Sequence, residues 1–164
     1  MPTNSEYQAA RDLARELVQL DLRTPGLRLT GIGSDAIKAT LRWERPPRLV
    51  SWDWFKVIKR RHGGYLELAV WHDETLCGLA YGPAGDRWLS IERLEGNPYP
   101  HPLKGRVTDI AIAVMQTQAV AMDLPQTRIS DPFEELIPHY RRRGYVNLVK
   151  SVDSRYLTKG RGAP

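Results

Sequence analysis

The chain has 164 residues, 41% hydrophobic and 26% charged, the proportions of a folded domain rather than of a disordered, collagen-like or coiled-coil chain. The 24 Lys and Arg exceed the 19 Asp and Glu, a net charge of +5 with histidine neutral, which favours an anionic partner such as a nucleotide cofactor, a nucleic acid or an acidic protein surface. With no run of about 18 apolar residues, no basic-then-apolar start and one cysteine, Cys77, the expectations are no membrane span, no disulfide framework and a cytoplasmic location.

Residues 4–20 form an amphipathic helix: Asn4 or Ser5 can cap it, and Ala9, Ala10, Leu13, Leu17 and Leu20 make one apolar stripe. Thr24-Pro25-Gly26 stops it. Residues 27–32 alternate as a short strand, and Ser34 or Asp35 caps a short helical run through Ile37 and Leu41. Arg45-Pro46-Pro47 is extended, because proline disfavours helix at the residue before it. Residues 51–61 form another helix, with Trp52, Phe55 and Ile58 on its buried face, and Gly63-Gly64 ends it.

Residues 65–71 are rich in β-formers, His72-Asp73-Glu74-Thr75 is a turn, and residues 76–82 return as the second strand of an antiparallel hairpin. After Pro83-Ala84-Gly85-Asp86 a third strand covers 87–94. Residues 95–102 hold three prolines and cannot be regular. The helix from Gly105 or Arg106 to Met122 is apolar nearly all round, so it packs against a sheet. Residues 126–130 are a strand. Ser130 or Asp131 caps a helix with Pro132 at its first position, running over 133–143 to a left-handed stop at Gly144. Residues 145–152 and 155–159 close as a hairpin. With no repeat or interdomain linker, the expectation is one α/β (α+β) domain over 1–164.

This order of elements resembles the GCN5-related N-acetyltransferase (GNAT) superfamily over roughly residues 50–158. Tyr140-Arg141-Arg142-Arg143-Gly144-Tyr145 is similar to its late motif: a helix tyrosine, three mostly polar residues, then glycine and an aromatic. The hairpin with Gly78 after its turn is similar to the family's second and third strands. The resemblance implies a mixed, mostly antiparallel central sheet with helices on both faces. It implies acyl transfer, acetyl from acetyl-CoA being the expected case, to an amine of an unidentified acceptor, without a metal. It also implies a loop whose backbone N–H groups hold the coenzyme's pyrophosphate at a helix N-terminus, where the dipole favours anions.

That loop is His101-Pro102-Leu103-Lys104-Gly105-Arg106-Val107-Thr108, with Lys104, Gly105, Arg106, Val107 and Thr108 as the cofactor-binding residues. The family pattern runs Arg or Gln, two residues, Gly, one residue, Gly or Ala. With Gly105 in the first glycine place, Pro102 replaces Arg/Gln and Val107 replaces Gly/Ala. A valine there would crowd a phosphate, and Pro102 has no amide to offer. The loop either holds the coenzyme in a modified way or has lost it.

Amine attack on a thioester needs a deprotonated amine, a polarised carbonyl and a proton for the thiolate. By the resemblance Tyr140 supplies that proton; a half-buried aromatic with its hydroxyl at the rim is the plainer account. Glu92 is the first choice of base and Glu95 the second, either of them equally a strand residue facing solvent. His101 and His139 are alternatives, since histidine titrates near working pH. Cys77, inside an apolar strand, is structural, and the four histidines lack metal-ligand spacing. Gly31-Ile32-Gly33-Ser34 is a turn. Trp52 and Phe55 serve the core, while Trp54 and Trp43 border an acceptor groove.

The competing reading is a catalytically inactive GNAT-fold binding protein. A nucleic-acid or other anionic partner would then meet the basic runs 56–61 and 141–143, although no nucleic-acid motif is visible. The enzyme reading expects a wedge between the family's fourth and fifth strands, with the amides of 105–108 pointing into it. The binding reading expects that wedge closed by Val107 or by the 98–102 loop. The first helix and the surplus tryptophans are candidates for a homodimer contact.

Overall fold

Thr3 starts α1 (Asn4–Leu22) with a capping box, one residue before the expected Asn4 or Ser5: its hydroxyl accepts the Glu6 N–H at 3.2 Å and Glu6 accepts the Thr3 N–H at 2.6 Å. The computed structural model describes residues 2–43 and 52–159. The buried side of α1 is not the expected leucine stripe. Ala10, Ala14 and Val18, with Arg11 and Arg15, are buried, whereas Leu13, Leu17 and Leu20 are 44%, 46% and 64% exposed. Alanines let α1 come close to α4 (Val107–Ala121), its main neighbour. The two arginines give that close packing its polar partners. Arg11 Nη1 donates to the Gly63 and Tyr65 carbonyls at 3.1 and 3.2 Å, and Arg15 Nη1 to the Glu67 carbonyl at 3.1 Å. These carbonyls lie on β2 (Leu66–His72) or just ahead of it, before its pairing with β1 (Leu27–Thr30) begins at Ala69.

Gly33, rather than Ser34 or Asp35, occupies the cap of α2 (Ser34–Thr40). The extended segment expected at 45–47 lies outside the described residues. Asp53 caps α3 (Trp54–Ile58), accepting the Lys56 N–H at 3.2 Å. Its buried residues are Trp54 and Val57, not Trp52, Phe55 and Ile58, and Phe55 is 55% exposed. Both sets are three apart, so spacing could not choose between them. The choice falls to the Trp54 indole, whose N–H reaches the Glu95 carboxylate at 2.8 Å.

β2 and β3 (Thr75–Gly82) form the expected hairpin. The expected third strand breaks at Glu92 into β4 (Trp88–Ile91) and β5 (Arg93–Gly96). One antiparallel sheet runs β1-β2-β3-β5. The other runs β4-β6-β8-β7, comprising β6 (Gln126–Ser130), β7 (Tyr145–Lys150) and β8 (Arg155–Lys159), with only β4–β6 parallel. The sheets join where the Ser90 N–H meets the Pro83 carbonyl at 3.1 Å and the Glu92 N–H meets the Tyr81 carbonyl at 2.9 Å. α1 and α4 cover one face, over Leu68, Val70, Leu89 and Ile129; α2 and α3 cover the other over Ala69, Trp71, Leu79 and Tyr81. This is the expected mixed sheet with helices on both faces.

The helix expected over 133–143 is also broken. Asp131 takes the left-handed conformation (φ +47°), a 3-10 turn spans Glu134–Leu136, and α5 covers only Ile137–Arg141. Pro138 explains the break: it has no N–H for the Glu134 carbonyl, and its ring clashes with that group in a continuous helix. Gly144, at φ +93°, ends the segment as expected. No helix among the described residues is long and apolar enough to cross a membrane.

Candidate active site

β4 and β6 run parallel until Ile91 faces Ile129. Beyond that register they separate. The break at Glu92 hands β5 to β3 alone, from Arg93 opposite Tyr81 to Gly96 opposite Gly78, while the chain after β6 turns off at Asp131. Neither β5 nor the departing segment has the other as a partner, so a wedge opens between them. It holds a cavity of about 280 Å³ that reaches Leu94 and Gly96 on β5, His101 and Gly105 in the loop, Thr108 on α4 and Tyr140 on α5.

The first turn of α4 forms one wall. Arg106 is the cap residue and makes no side-chain cap bond, so the N–H groups of Val107, Thr108 and Asp109 have no partner within the helix. Gly105 has φ +83° and open space where a Cβ would stand. The valine expected to crowd a phosphate, Val107, lines the wedge but packs into the core, and its Cγ1 is 2.4 Å from where a Gly78 Cβ would lie. The space for its side chain therefore comes from the missing Cβ on β3. Asp109, in the first turn, is paired with Arg143, which also donates to the His139 carbonyl at 2.9 Å, tying α4 to α5.

The two cations of the loop are engaged within the protein. Lys104 Nζ donates to the Asn97 and Pro98 carbonyls at 3.1 and 3.3 Å, closing the 97–104 loop. Arg106 Nη2 reaches back to Thr24 Oγ1 at 3.0 Å. The His101 ring is built into the same loop, its Nδ1 accepting the Leu103 N–H at 3.2 Å. Burial, with help from Lys104, holds the His101 pKa below its ordinary value.

Tyr140 is 4% exposed and lines the wedge, with His139 edge-on to it at 5.8 Å. Its hydroxyl makes no hydrogen bond among the described residues. Burial pushes its pKa up to about 12, opposed only by Arg143, so the phenol keeps its proton at any physiological pH. A second, narrower recess, which shares Leu94, Leu136 and Tyr140 with the wedge, also touches Glu92, Asp131, Trp52 and Phe133. Tyr140 and Glu92, proposed from sequence as acid and base, therefore share a recess. Glu92 is not a free strand carboxylate: Arg60 and Arg93 approach its Oε1 at 3.3 and 3.6 Å.

Glu95, the second choice of base, is buried, and its Oε1 accepts the Trp54 indole N–H and the Trp52 backbone N–H at 2.8 and 3.4 Å. That makes it a core anchor for α3. The tryptophans exchange roles relative to expectation: Trp43 and Trp54 are core, while Trp52 borders the recess, stacked beneath Arg93 at 4.2 Å and tilted against Phe133 at 6.0 Å. Trp52 Nε1 is shut from solvent and has no hydrogen-bond partner among the described residues. Cys77 is buried in the core, and burial raises its thiol pKa. No group of three metal-type ligands occurs among the described residues. The signal that was missed for Arg143 and Asp131 was weak, one lying in a basic run and the other standing as a helix cap.

This is the GNAT fold. No protein-family model matches the sequence, and no curated protein matches it. The similarity appears in solved structures. The ribosomal-protein-S18-alanine N-acetyltransferase from Escherichia coli superposes with a TM-score of 0.52 at 8% identity, over 84% of this chain and 96% of that one. The Campylobacter jejuni N-acetyltransferase PseH gives 0.54 at 12% identity, over 85% and 100%. PaiA N-acetyltransferase from Thermoplasma acidophilum, solved in complex with coenzyme A, gives 0.50 at 13% identity, over 81% and 98%.

Proposed function

We propose that the chain is an acyl-CoA-dependent N-acyltransferase that moves an acetyl group from acetyl-CoA to an amine. One observation carries the reading: the uncapped first turn of α4 and the unengaged Tyr140 hydroxyl face a single open wedge. The N–H groups of Val107, Thr108 and Asp109 would hold the pyrophosphate, Gly105 leaving room for close approach, and Lys104 and Arg106 would have to leave their carbonyl and Thr24 partners to frame it. Acetyl-CoA supplies the activated thioester. The amine nitrogen bonds to the thioester carbon and the C–S bond breaks; nitrogen gives one proton to the base, and sulfur leaves as the thiolate, which takes its proton from solvent.

Tyr140 serves as a hydrogen-bond donor to the departing sulfur rather than as the source of its proton. A thiol titrates near 8.5, so full transfer from a phenol held near 12 costs about 5 kcal/mol. Glu92, through Oε2 or a water, takes the proton of the amine in this reading. A cytoplasmic location belongs to the same proposal, on the strength of cysteine usage.

Calorimetric titration with acetyl-CoA, followed by thiol release in the presence of amines, tests this. The expected result is saturable binding with amine-dependent release, cut about 10- to 100-fold in Y140F at unchanged acetyl-CoA affinity. Absence of both heat and release at millimolar acetyl-CoA rejects the proposal. Binding without turnover returns the reading to an inactive binding protein.

A further inference from the structure

Asp109 puts a negative charge where an anionic ligand is least helped by one. It is the third residue of α4, inside the turn whose N–H groups have no helical partner. A carboxylate there is drawn to those groups and to the positive end of the helix dipole, the position that the proposed reading gives to pyrophosphate. In this chain it is turned away from them. Both Asp109 oxygens are taken by Arg143, Oδ1 by Nε and Oδ2 by Nη2 at 3.4 Å. The loop cations are not rivals for this pairing, since Lys104 is held by the Asn97 and Pro98 carbonyls and Arg106 by Thr24.

Arg143 makes a further contact on its own side. Nη1 donates to the His139 carbonyl at 2.9 Å, four residues back along the segment that carries Tyr140. The α5 helix covers only Ile137–Arg141, too short to hold its orientation unaided, so Tyr140 depends on what that segment is tied to. The phenol feels the same cation, for Arg143 is the one influence that opposes burial in its titration. A single guanidinium, 20% exposed, thus joins the two walls of the wedge. Its donors lie in one rigid plane, which lets it serve the carboxylate and the carbonyl together.

Resting on the acyltransferase reading, we infer that Arg143 is a positioning residue with two roles. It holds the Asp109 carboxylate off the first turn of α4, leaving those N–H groups to the coenzyme's pyrophosphate. It also fixes α5 against α4, so that Tyr140 stands at a set distance from that anchor, beside the departing sulfur.

Charge and geometry separate in three variants. In R143Q the Asp109 carboxylate is left unpaired, and the affinity for acetyl-CoA, measured by calorimetry, falls about 10-fold. Adding D109N to R143Q removes the stranded charge and returns the affinity to within about 3-fold of the parent chain. Loss of folding would not be rescued in this way. R143K keeps the charge but not the planar fork, so affinity holds within about 3-fold while kcat falls about 10-fold through the misplaced phenol. Inorganic pyrophosphate, followed by the Val107 and Thr108 amide resonances, gives a readout independent of turnover. It binds the parent chain and the double variant alike, and R143Q about 10-fold more weakly. Unchanged affinity in R143Q, a loss that D109N does not restore, or full kcat in R143K overturns the inference. If acetyl-CoA gives no heat with the parent chain, the acyltransferase reading fails on its own, and the role of Arg143 toward Asp109 is judged by the pyrophosphate titrations.

Discussion

Val107 and Gly78 fit each other across the sheet: a Cβ on Gly78 would stand 2.4 Å from Val107 Cγ1. A β-branched residue at the start of α4 is tolerated because β3 has no side chain beneath it. G78A is expected to cost about 1–3 kcal/mol by overpacking. V107A in the same chain should return much of that, a coupling of about 1 kcal/mol or more. Urea unfolding of the two single variants and the double variant measures this. Additive costs show that the fit has been misread.

Tyr140 makes stability depend on alkaline pH. In the unfolded chain its phenol titrates near 10, and in the fold near 12. Its contribution is therefore intact below pH 10 and is lost as pH rises from there through 12, a total of about 2–3 kcal/mol. Tyr145, also raised by burial, acts in the same direction, so the informative quantity is the difference from Y140F. Across pH 9, 10 and 11 the unfolding free energy of the parent chain should fall relative to that of Y140F. Parallel curves would falsify the buried phenol.

His101 gives the opposite limb. Burial and Lys104 lower its pKa, so the fold favours the neutral ring, as its acceptance of the Leu103 N–H requires. Its contribution is complete above the unfolded value of about 6.5 and is lost as pH falls below that and through the folded value. An NMR titration of the ring should give a midpoint under about 6.5. A midpoint above it means that the Leu103 bond is absent. His139, lowered by burial and then by Arg143 and Arg142, follows the same sign.

Glu95 separates a structural carboxylate from a catalytic one. E95A strands the Trp54 indole N–H in the core and should cost about 1–3 kcal/mol. E95Q keeps an acceptor and should retain both stability and turnover. A 100-fold loss of turnover in a stable E95Q protein assigns the base to Glu95 instead of Glu92.

On α1, replacing Leu13, Leu17 and Leu20 with glutamine should cost no more than about 0.5 kcal/mol each, since all three are exposed. A14L, at a fully buried position, should cost about 1–3 kcal/mol. Thermal melts rank these variants, and the reverse ranking restores the leucine face as the core side.

The order of elements was legible before any coordinates, because turns and caps are written in neighbouring residues: Thr24-Pro25-Gly26 and Gly144 stop elements where the chain stops them, although α3 ends at Ile58, short of the expected Gly63-Gly64. The apolar α4 announced its burial, and Tyr140-x-x-x-Gly144 announced the wall of the wedge. Burial of one helix face rather than another was not legible. Leucines at regular spacing point to the core only if the partner can receive them, and α4 receives Ala10 and Ala14 at closer range. The break at Glu92 and the left-handed turn at Asp131 depend on which strands β5 and β6 find as neighbours: β5 turns to β3, and β6 pairs with β4, 38 positions away. The sequence alone therefore determined the elements and the chemistry on offer. Tertiary packing decided which tryptophan meets the recess, which carboxylate is tied up in the core and how a valine fits where a smaller residue was expected, because each depends on the shape of a surface that another part of the chain provides.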